Sequence, residues 1–343
     1  MRCPALKDLP IAPEYKNCWP WTEETLQLPE TMSDGQRWPK ISIITPNYNF
    51  GRFLEETVRS VLLQGYPNLE YIIIDGGSND DSLDIIRKYE RWIAYWVSEY
   101  DAGHPQALNK GFSYATGDIL AWINSDDLYE KGALKIVAET LMRGGYWVTG
   151  TTVNFDESGD LDNYFPEIIP NLGYWVEQFL KGSSMRLPQS STFWTKNVWL
   201  NVGQFEESLE YGFDHEFFFR ICERFGNQII INDDLARARF HNDTKSSKAF
   251  SRIVSDNLQC GIRNKYILPF LRWIKIPIFI LRTKGKIVIY NYLETAERKK
   301  GWQAAIYLLK LPLRHPALLF NRMFLSLIYK QIKNIFTSQL RFL

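Results

Sequence analysis

The chain has 343 residues, 45% of them apolar and 23% charged, with a formal net charge of +1. That length supports a full core and more than one structural unit, and that composition excludes a disordered chain. The small net charge hides an asymmetry: residues 261–343 carry 16 basic and 2 acidic side chains, the rest 24 basic and 37 acidic.

Residues 1–39 are rich in Pro and Trp without sustained periodicity, and read as an extended arm whose WPWT (Trp19–Thr22) packs on the body. Its first residues lack the apolar stretch of a secretory signal, so none is expected. From Lys40 the pattern becomes regular. ISIIT (41–45) is a short β-rich run, and RFLEETVRSVLLQ (52–64) places Phe53, Leu54, Val58, Val61 and Leu62 at helical spacing. EYIIID (70–75) predicts a second strand and DDSLDIIRKYERWI a helix. AYWVS (94–98) predicts a third strand, PQALNKGFSYA a helix, and DILAWI (118–123) a fourth strand. A helix from about Leu128 to Met142 and a fifth strand, YWVTGT, complete the series. Strands alternating with helices imply a mainly parallel sheet covered on both faces. Residues 150–258 lose that rhythm with no linker before them, and read as the second half of the same domain.

Ligands of such sheets bind at the carboxyl ends of the strands. Three polar clusters are expected on that edge: Thr45-Pro46-Asn47-Tyr48-Asn49, Asp75-Gly76-Gly77-Ser78 and Asn124-Ser125-Asp126-Asp127. Each alone also reads as a turn with a helix cap. Asp126 and Asp127 repel each other unless a cation comes between them, so NSDD fits a metal site or a cap, and both remain open on the residues alone. IIIDGGSNDD lacks the spacing of a phosphate-binding loop.

The four cysteines form no CxxC pair, which argues against a zinc module or disulfide scaffold and suits a reducing compartment. No window of about 18 residues is free of charge, so no membrane-spanning helix is expected. Residues 259–343 mix large apolar side chains with Lys and Arg. That mixture suits amphipathic helices on an anionic membrane surface, where each nearby basic residue contributes about 1 kcal/mol. A helical subdomain packed on the body or on a second copy, in a homo-oligomer, fits the same pattern. No nucleic-acid motif is present, and nucleic acid is not an expected partner.

The stretches ISIITPNYNFGRFLEETVRSVLLQGYPNLEYIIIDGGSNDDS, DAGHPQALNKGFSYATGDILAWINSDD and GFDHEFFFRI resemble the family 2 inverting glycosyltransferases of GT-A fold, of the bacterial surface-polysaccharide type. The likeness runs from about residue 40 to 245. It implies an α/β, Rossmann-like GT-A domain over 40–258, with a mainly parallel sheet flanked by helices. Residues 40–150 would be its nucleotide-binding half and 151–258 its acceptor half, before a helical basic C-terminal extension.

The resemblance also implies site roles. Thr45, Pro46, Tyr48 and Asp75 would form the nucleotide pocket, with Tyr48 against the uracil ring and Asp75 accepting its imide N–H. Asp126 would meet the ribose or sugar, and Asp127 with His241 would hold Mn²⁺ or Mg²⁺. Asp214 would be the base and Glu216 a second acid. Asp101, Gly103, Asn109 and Lys110 match a loop-shaping block beside the donor, and Gln189 an acceptor-side segment. Two positions depart from the family pattern: Asn124 at the outer place of D-x-D, and Phe213 where Glu precedes the base. The implied activity moves a sugar from a nucleotide-sugar, taken as a UDP-sugar, to a glycan or lipid-linked acceptor in envelope polysaccharide assembly. The implied location is cytoplasmic, peripheral at the inner membrane. The rivals are a sugar nucleotidyltransferase, for which TPNYNFGRF supplies no suitable basic Gly-rich loop, and a non-catalytic nucleotide-sugar-binding scaffold, which joint retention of Asp75, Asp126, Asp127 and Asp214 opposes.

Overall fold

The computed structural model describes residues 1–168 and 186–241. Its contacts divide the chain into Met1–Thr244 and Lys245–Leu343, and every described residue lies in the first unit. The basic tail expected over 259–343 and the acceptor-side stretch GYWVEQFLKG lie outside the described residues.

The apolar runs form strands because they are buried on both faces. β1 (Ile41–Asn47) and β2 (Leu69–Asp75) are buried at all seven positions, as a sheet covered by helices on either side requires. α1 (Gly51–Leu62) follows β1 and turns Leu54, Val58, Val61 and Leu62 inward, all with no exposed surface. α2 (Ser82–Tyr89) leads to β3 (Tyr95–Ser98) and α3 (His104–Tyr114) to β4 (Ile119–Trp122). α3 lies close on the sheet at Gly111, where a Cβ would sit 2.6 Å from Ile44 Cγ2. A side chain there would have to displace the Ile44 side chain or the helix.

β1 pairs in parallel with β2 on one side and β4 on the other, and β2 with β3. The strand order begins β3-β2-β1-β4. Chain direction along the sheet therefore reverses between β1 and β4, the switch point at which a crevice opens beyond the strand ends.

Beyond β4 the sheet is no longer purely parallel. β6 (Trp147–Asp156), β7 (Gly159–Tyr164), β8 (Thr192–Thr195) and β9 (Ile229–Arg239) extend it, with β8 antiparallel to both β4 and β6, and β9 parallel to β6. The mainly parallel sheet expected from the sequence is thus confined to the first half. Its signal was the strand–helix alternation, and that alternation stops at β6. A second difference is the helix expected from Leu128. Leu128–Tyr129 form β5, pairing with Arg237 and Ala236 of β9. α4 (Ala133–Met142) starts after Gly132, whose φ of +77° interrupts the helical path.

α5 (Lys196–Val202) and α6 (Phe213–Phe225) close the second half over an aromatic core. Phe213, Phe217 and Ile221 recur at four-residue spacing. Phe217 and Phe218 are fully buried, and the Phe205–Phe217 and Trp194–Phe217 ring centroids lie 4.4 and 5.1 Å apart. The arm packs along α1, where the buried Arg59 donates to the carbonyls of Pro10, Pro20 and Trp21 and to the Tyr89 hydroxyl.

Candidate active site

β1, β2 and β4 end side by side. Asn47 is level with Asp75, and Ile44 with Trp122, so the three polar clusters share the carboxyl edge. Their side chains behave differently from one another.

Asp75 has no exposed surface. Its carboxylate accepts from Asn47 Nδ2 at 2.7 Å, Ser78 Oγ at 2.5 Å, Ser98 Oγ at 2.6 Å, and the N–H groups of Ser78 and Gly77 at 2.9 and 3.2 Å. A carboxylate has about four lone-pair sites, and here they are used internally. Asp75 therefore builds the 75–78 turn, and in this arrangement does not reach a surface on which a base could lie. Thr45 is also fully buried, and its hydroxyl accepts from Tyr71 at 3.1 Å. Pro46 is buried within β1. Of the four residues assigned to the nucleotide pocket, only Tyr48, 61% exposed, offers its side chain outward.

The NSDD turn separates its two acids. Asp127 is buried, its Oδ1 accepting from the Arg239 N–H at 3.0 Å and its Oδ2 from Asn124 Nδ2 at 3.2 Å. Burial, and then the neighbouring Asp126 charge, push its carboxyl well above the usual range despite those donors. Asp126 Oδ2 lies 3.0 Å from His241 Nε2. The acid in contact with His241 is thus Asp126, whereas the resemblance grouped His241 with Asp127. The pairing follows from β9: its last residue, Arg239, runs past the turn, and His241 emerges two residues later.

Arg239 joins these parts and was not singled out from the sequence. Its Nε donates to the Asp126 carbonyl at 3.1 Å and its Nη2 to Glu56 Oε2 at 3.1 Å, and its guanidinium lies over Phe53 and Phe155. Phe53 in turn packs against the His241 ring at 4.8 Å. The available signal was a basic residue two positions before the candidate ligand His241, at the end of a strand.

Asp126 and His241 are oxygen and nitrogen donors of the kind that suit Mn²⁺ or Mg²⁺, although no group of three His, Cys, Asp or Glu side chains among the described residues is arranged to hold a metal ion. A cation would relieve the burial and repulsion that raise the Asp127 carboxyl. Asn124 Oδ1 is a buried acceptor with no partner among the described residues, and an acceptor in that position is normally satisfied.

Asp214 is the second residue of α6, after Gly212 in the left-handed region at φ +70°. It accepts the His215 N–H at 2.8 Å and forms no ion pair among the described residues. Glu216, the second acid, is instead held by Arg220 through Nε at 2.8 Å and Nη2 at 2.8 Å. Phe213 packs toward Trp122, ring centroids 6.4 Å apart, so α6 begins beside the end of β4. Burial, with the Asp214 charge adding to it, raises the phenol of Tyr164 above its ordinary value. An open cleft of about 480 Å³ is lined by Glu216 together with Asn109, Gln204, Glu207 and Arg220 among others. None of the three strand-end clusters lines it.

An open α/β sheet with polar clusters beside its switch point is the architecture in which ligands bind beyond the carboxyl ends of the strands. Residues 42–205, just under half of the chain, match the family model described as Glycosyl transferase family 2. The putative teichuronic acid biosynthesis glycosyltransferase TuaG of Bacillus subtilis (strain 168) is 34% identical over 131 residues, covering 37% of this chain and 52% of that one, about half the relative's length. S. aureus TarS 1–349 in complex with UDP-GlcNAc superposes with a TM-score of 0.54 at 17% identity, over 86% of this chain and 89% of that chain. Mannosyltransferase PcManGT from Pyrobaculum calidifontis, in complex with GDP-Man and Mn²⁺, gives 0.51 at 20% identity, over 87% of both. These likenesses bear out the GT-A fold expected from the sequence, and the family-model match with the named glycosyltransferase relatives favours a glycosyltransferase over a nucleotidyltransferase. No helix among the described residues is long and apolar enough to cross a membrane.

Proposed function

We propose that this glycosyltransferase transfers a sugar, with inversion, from a nucleoside diphosphate sugar, a UDP-sugar in the first instance, to a hydroxyl of a surface glycan or lipid-linked acceptor. The observation that carries the reading is the Asp126–His241 contact at the switch point, beside the buried Asp127, with α6 and Asp214 beginning beside the same strand end. TuaG, TarS bound to UDP-GlcNAc, and PcManGT bound to GDP-Man and Mn²⁺ support it from outside.

Asp126, Asp127 and His241 would hold a divalent cation, which when bound offsets the negative charge of the departing diphosphate. Asp214 takes the proton of the acceptor hydroxyl as that oxygen attacks the anomeric carbon from the face opposite the diphosphate. One base is enough for inversion. Asp214 suits the role better than Glu216, whose oxygens are taken by Arg220. Tyr48 offers its ring to the base, as exposed aromatic side chains do. Attachment to an anionic membrane through residues 259–343, and the domain limits 40–258, belong to the same proposal and rest on the sequence.

The test is transfer from UDP-, GDP- and dTDP-sugars with Mn²⁺ present, comparing wild type with Asp214→Asn. The variant is expected to bind donor normally and to lose about 10²–10⁴-fold in kcat. Full transfer by Asp214→Asn removes Asp214 from the role, and failure of every donor to bind or turn over overturns the reading.

A further inference from the structure

We propose that Gln189 is a positioning residue of the nucleotide-sugar site: its side-chain amide fixes the direction of the Asn124 amide, which in turn holds the Asp127 carboxyl. The inference rests on the nucleotide-sugar reading above, and it moves Gln189 from the acceptor side, where the resemblance set it, to the donor side.

The run of hydrogen bonds has a fixed sense because it begins on a main-chain carbonyl. Gln189 Nε2 donates to the Trp122 carbonyl at 3.0 Å, at the end of β4. A carbonyl only accepts, so this end of the Gln189 amide is its NH2 and the other end is Oε1. Oε1 accepts in turn from Asn124, which must present its Nδ2, at 3.2 Å. The same nitrogen donates to Asp127 Oδ2, also at 3.2 Å. With the Asn124 amide reversed, its oxygen would face the Gln189 oxygen and that bond would become a repulsion.

This direction has a cost. Asn124 Oδ1 is left buried without a partner among the described residues, and an unsatisfied buried acceptor costs about 1–3 kcal/mol. An exception of this kind calls for an explanation. Here it lies at the other end of the amide, where both hydrogens are in use and one of them steadies Asp127. The second oxygen of Asp127 accepts the Arg239 N–H at 3.0 Å. The carboxyl is thus held from two sides, by the end of β9 and by the segment before β8.

Gln189 itself sits on a firm support. β8 pairs with β4 at Ile119 and Leu120; two residues further along, the Gln189 side chain stands in for a strand neighbour of Trp122. Gln189–Ser191 form a single 3₁₀ turn, and buried hydroxyls fasten it to β6. Ser191 Oγ donates to the Thr151 carbonyl at 2.8 Å and lies 2.6 Å from Thr152 Oγ1, and the Thr149 and Thr192 hydroxyls lie 3.2 Å apart. Thr149, Ser191 and Thr192 have no exposed surface. The second half of the domain thereby sets the direction of a side chain in the first.

The test is calorimetric binding of UDP to the full chain with Mn²⁺ present, for wild type, Gln189→Leu, Asn124→Ala and the double variant, each checked for folding by thermal melting. Gln189→Leu and Asn124→Ala are each expected to weaken UDP by about tenfold. The double variant is expected to lose no more than Asn124→Ala alone, because Gln189 acts through Asn124. Gln189→Glu, ionised at pH 8, keeps the shape but has no hydrogen for the Trp122 carbonyl, and is expected to fall to the level of Gln189→Leu. If the leucine variant does not fold, the glutamate variant takes its place in the cycle. Losses that multiply in the double variant overturn the inference, since a merely structural role for Gln189 acts independently of Asn124. So does wild-type affinity in either Gln189 variant. A wild type that binds no UDP overturns the nucleotide-sugar reading first, and this inference with it.

Discussion

Arg239→Ala is expected to destabilise the protein by about 2–3 kcal/mol and to loosen the acidic turn. The guanidinium is only 12% exposed and its partner Glu56 15%. Removing one member of a buried pair costs about 3–5 kcal/mol when the other charge is left alone. Glu56 would not be left alone, since Lys16 Nζ of the arm stays 3.6 Å away, which lowers the figure. The lost bond to the Asp126 carbonyl and the lost packing on Phe53 and Phe155 add about 1 kcal/mol in the other direction. For a unit of this size, about 2–3 kcal/mol lowers Tm by roughly 5–10 °C. The assay is thermal unfolding of wild type, Arg239→Ala, Glu56→Gln and the double variant. A coupling of about 1–2 kcal/mol is expected for groups in contact. Additive single effects, or an Arg239→Ala loss under about 1 kcal/mol, refute the assignment. The main-chain bond from Arg239 to Asp127 survives in Arg239→Ala, so the acidic turn stays in place but less well aligned. Weaker donor binding is then the functional readout.

Three further outcomes are expected. Glu70, at the opposite strand end, holds Lys40 at 2.7 Å and accepts from Ser42 and Thr116; burial raises its carboxyl, but these donors outweigh it and bring it down to about 2. A depressed carboxyl stabilises the fold above its ordinary range and loses that contribution as pH falls toward its folded value. The stability gap between wild type and Glu70→Gln, about 2–3 kcal/mol at neutral pH, should close between pH 4.5 and about 2; a gap independent of pH in acid melts contradicts this. Arg59→Met strands the carbonyls of Pro10, Pro20 and Trp21 and should cost about 3 kcal/mol or more, with proteolysis of the arm preceding that of the body. Uniform digestion speaks against the clamp. His241→Ala should weaken Mn²⁺ binding, read by the paramagnetic signal of free Mn²⁺, by about tenfold or more; unchanged binding removes His241 from the ligand set.

The sequence by itself determined the parallel half of the sheet and the edge on which chemistry gathers. Buried β-branched runs, helical spacing from Phe53 to Leu62 and polar clusters after each run are local signals, and each survives folding because neighbouring residues alone set it. The sequence also marked Asp126, Asp127, Asp214 and His241 through their resemblance to a family. It could not say which of them touch. Only the tertiary structure turned Asp75 inward, set His241 on Asp126, gave Glu216 to Arg220 and joined Gln189 to Asn124. Those outcomes depend on which strand ends lie side by side and on which donors reach a carboxylate first. Asp126 and His241 stand 115 positions apart, and such pairings follow from sheet order and register, to which no window of local periodicity is sensitive.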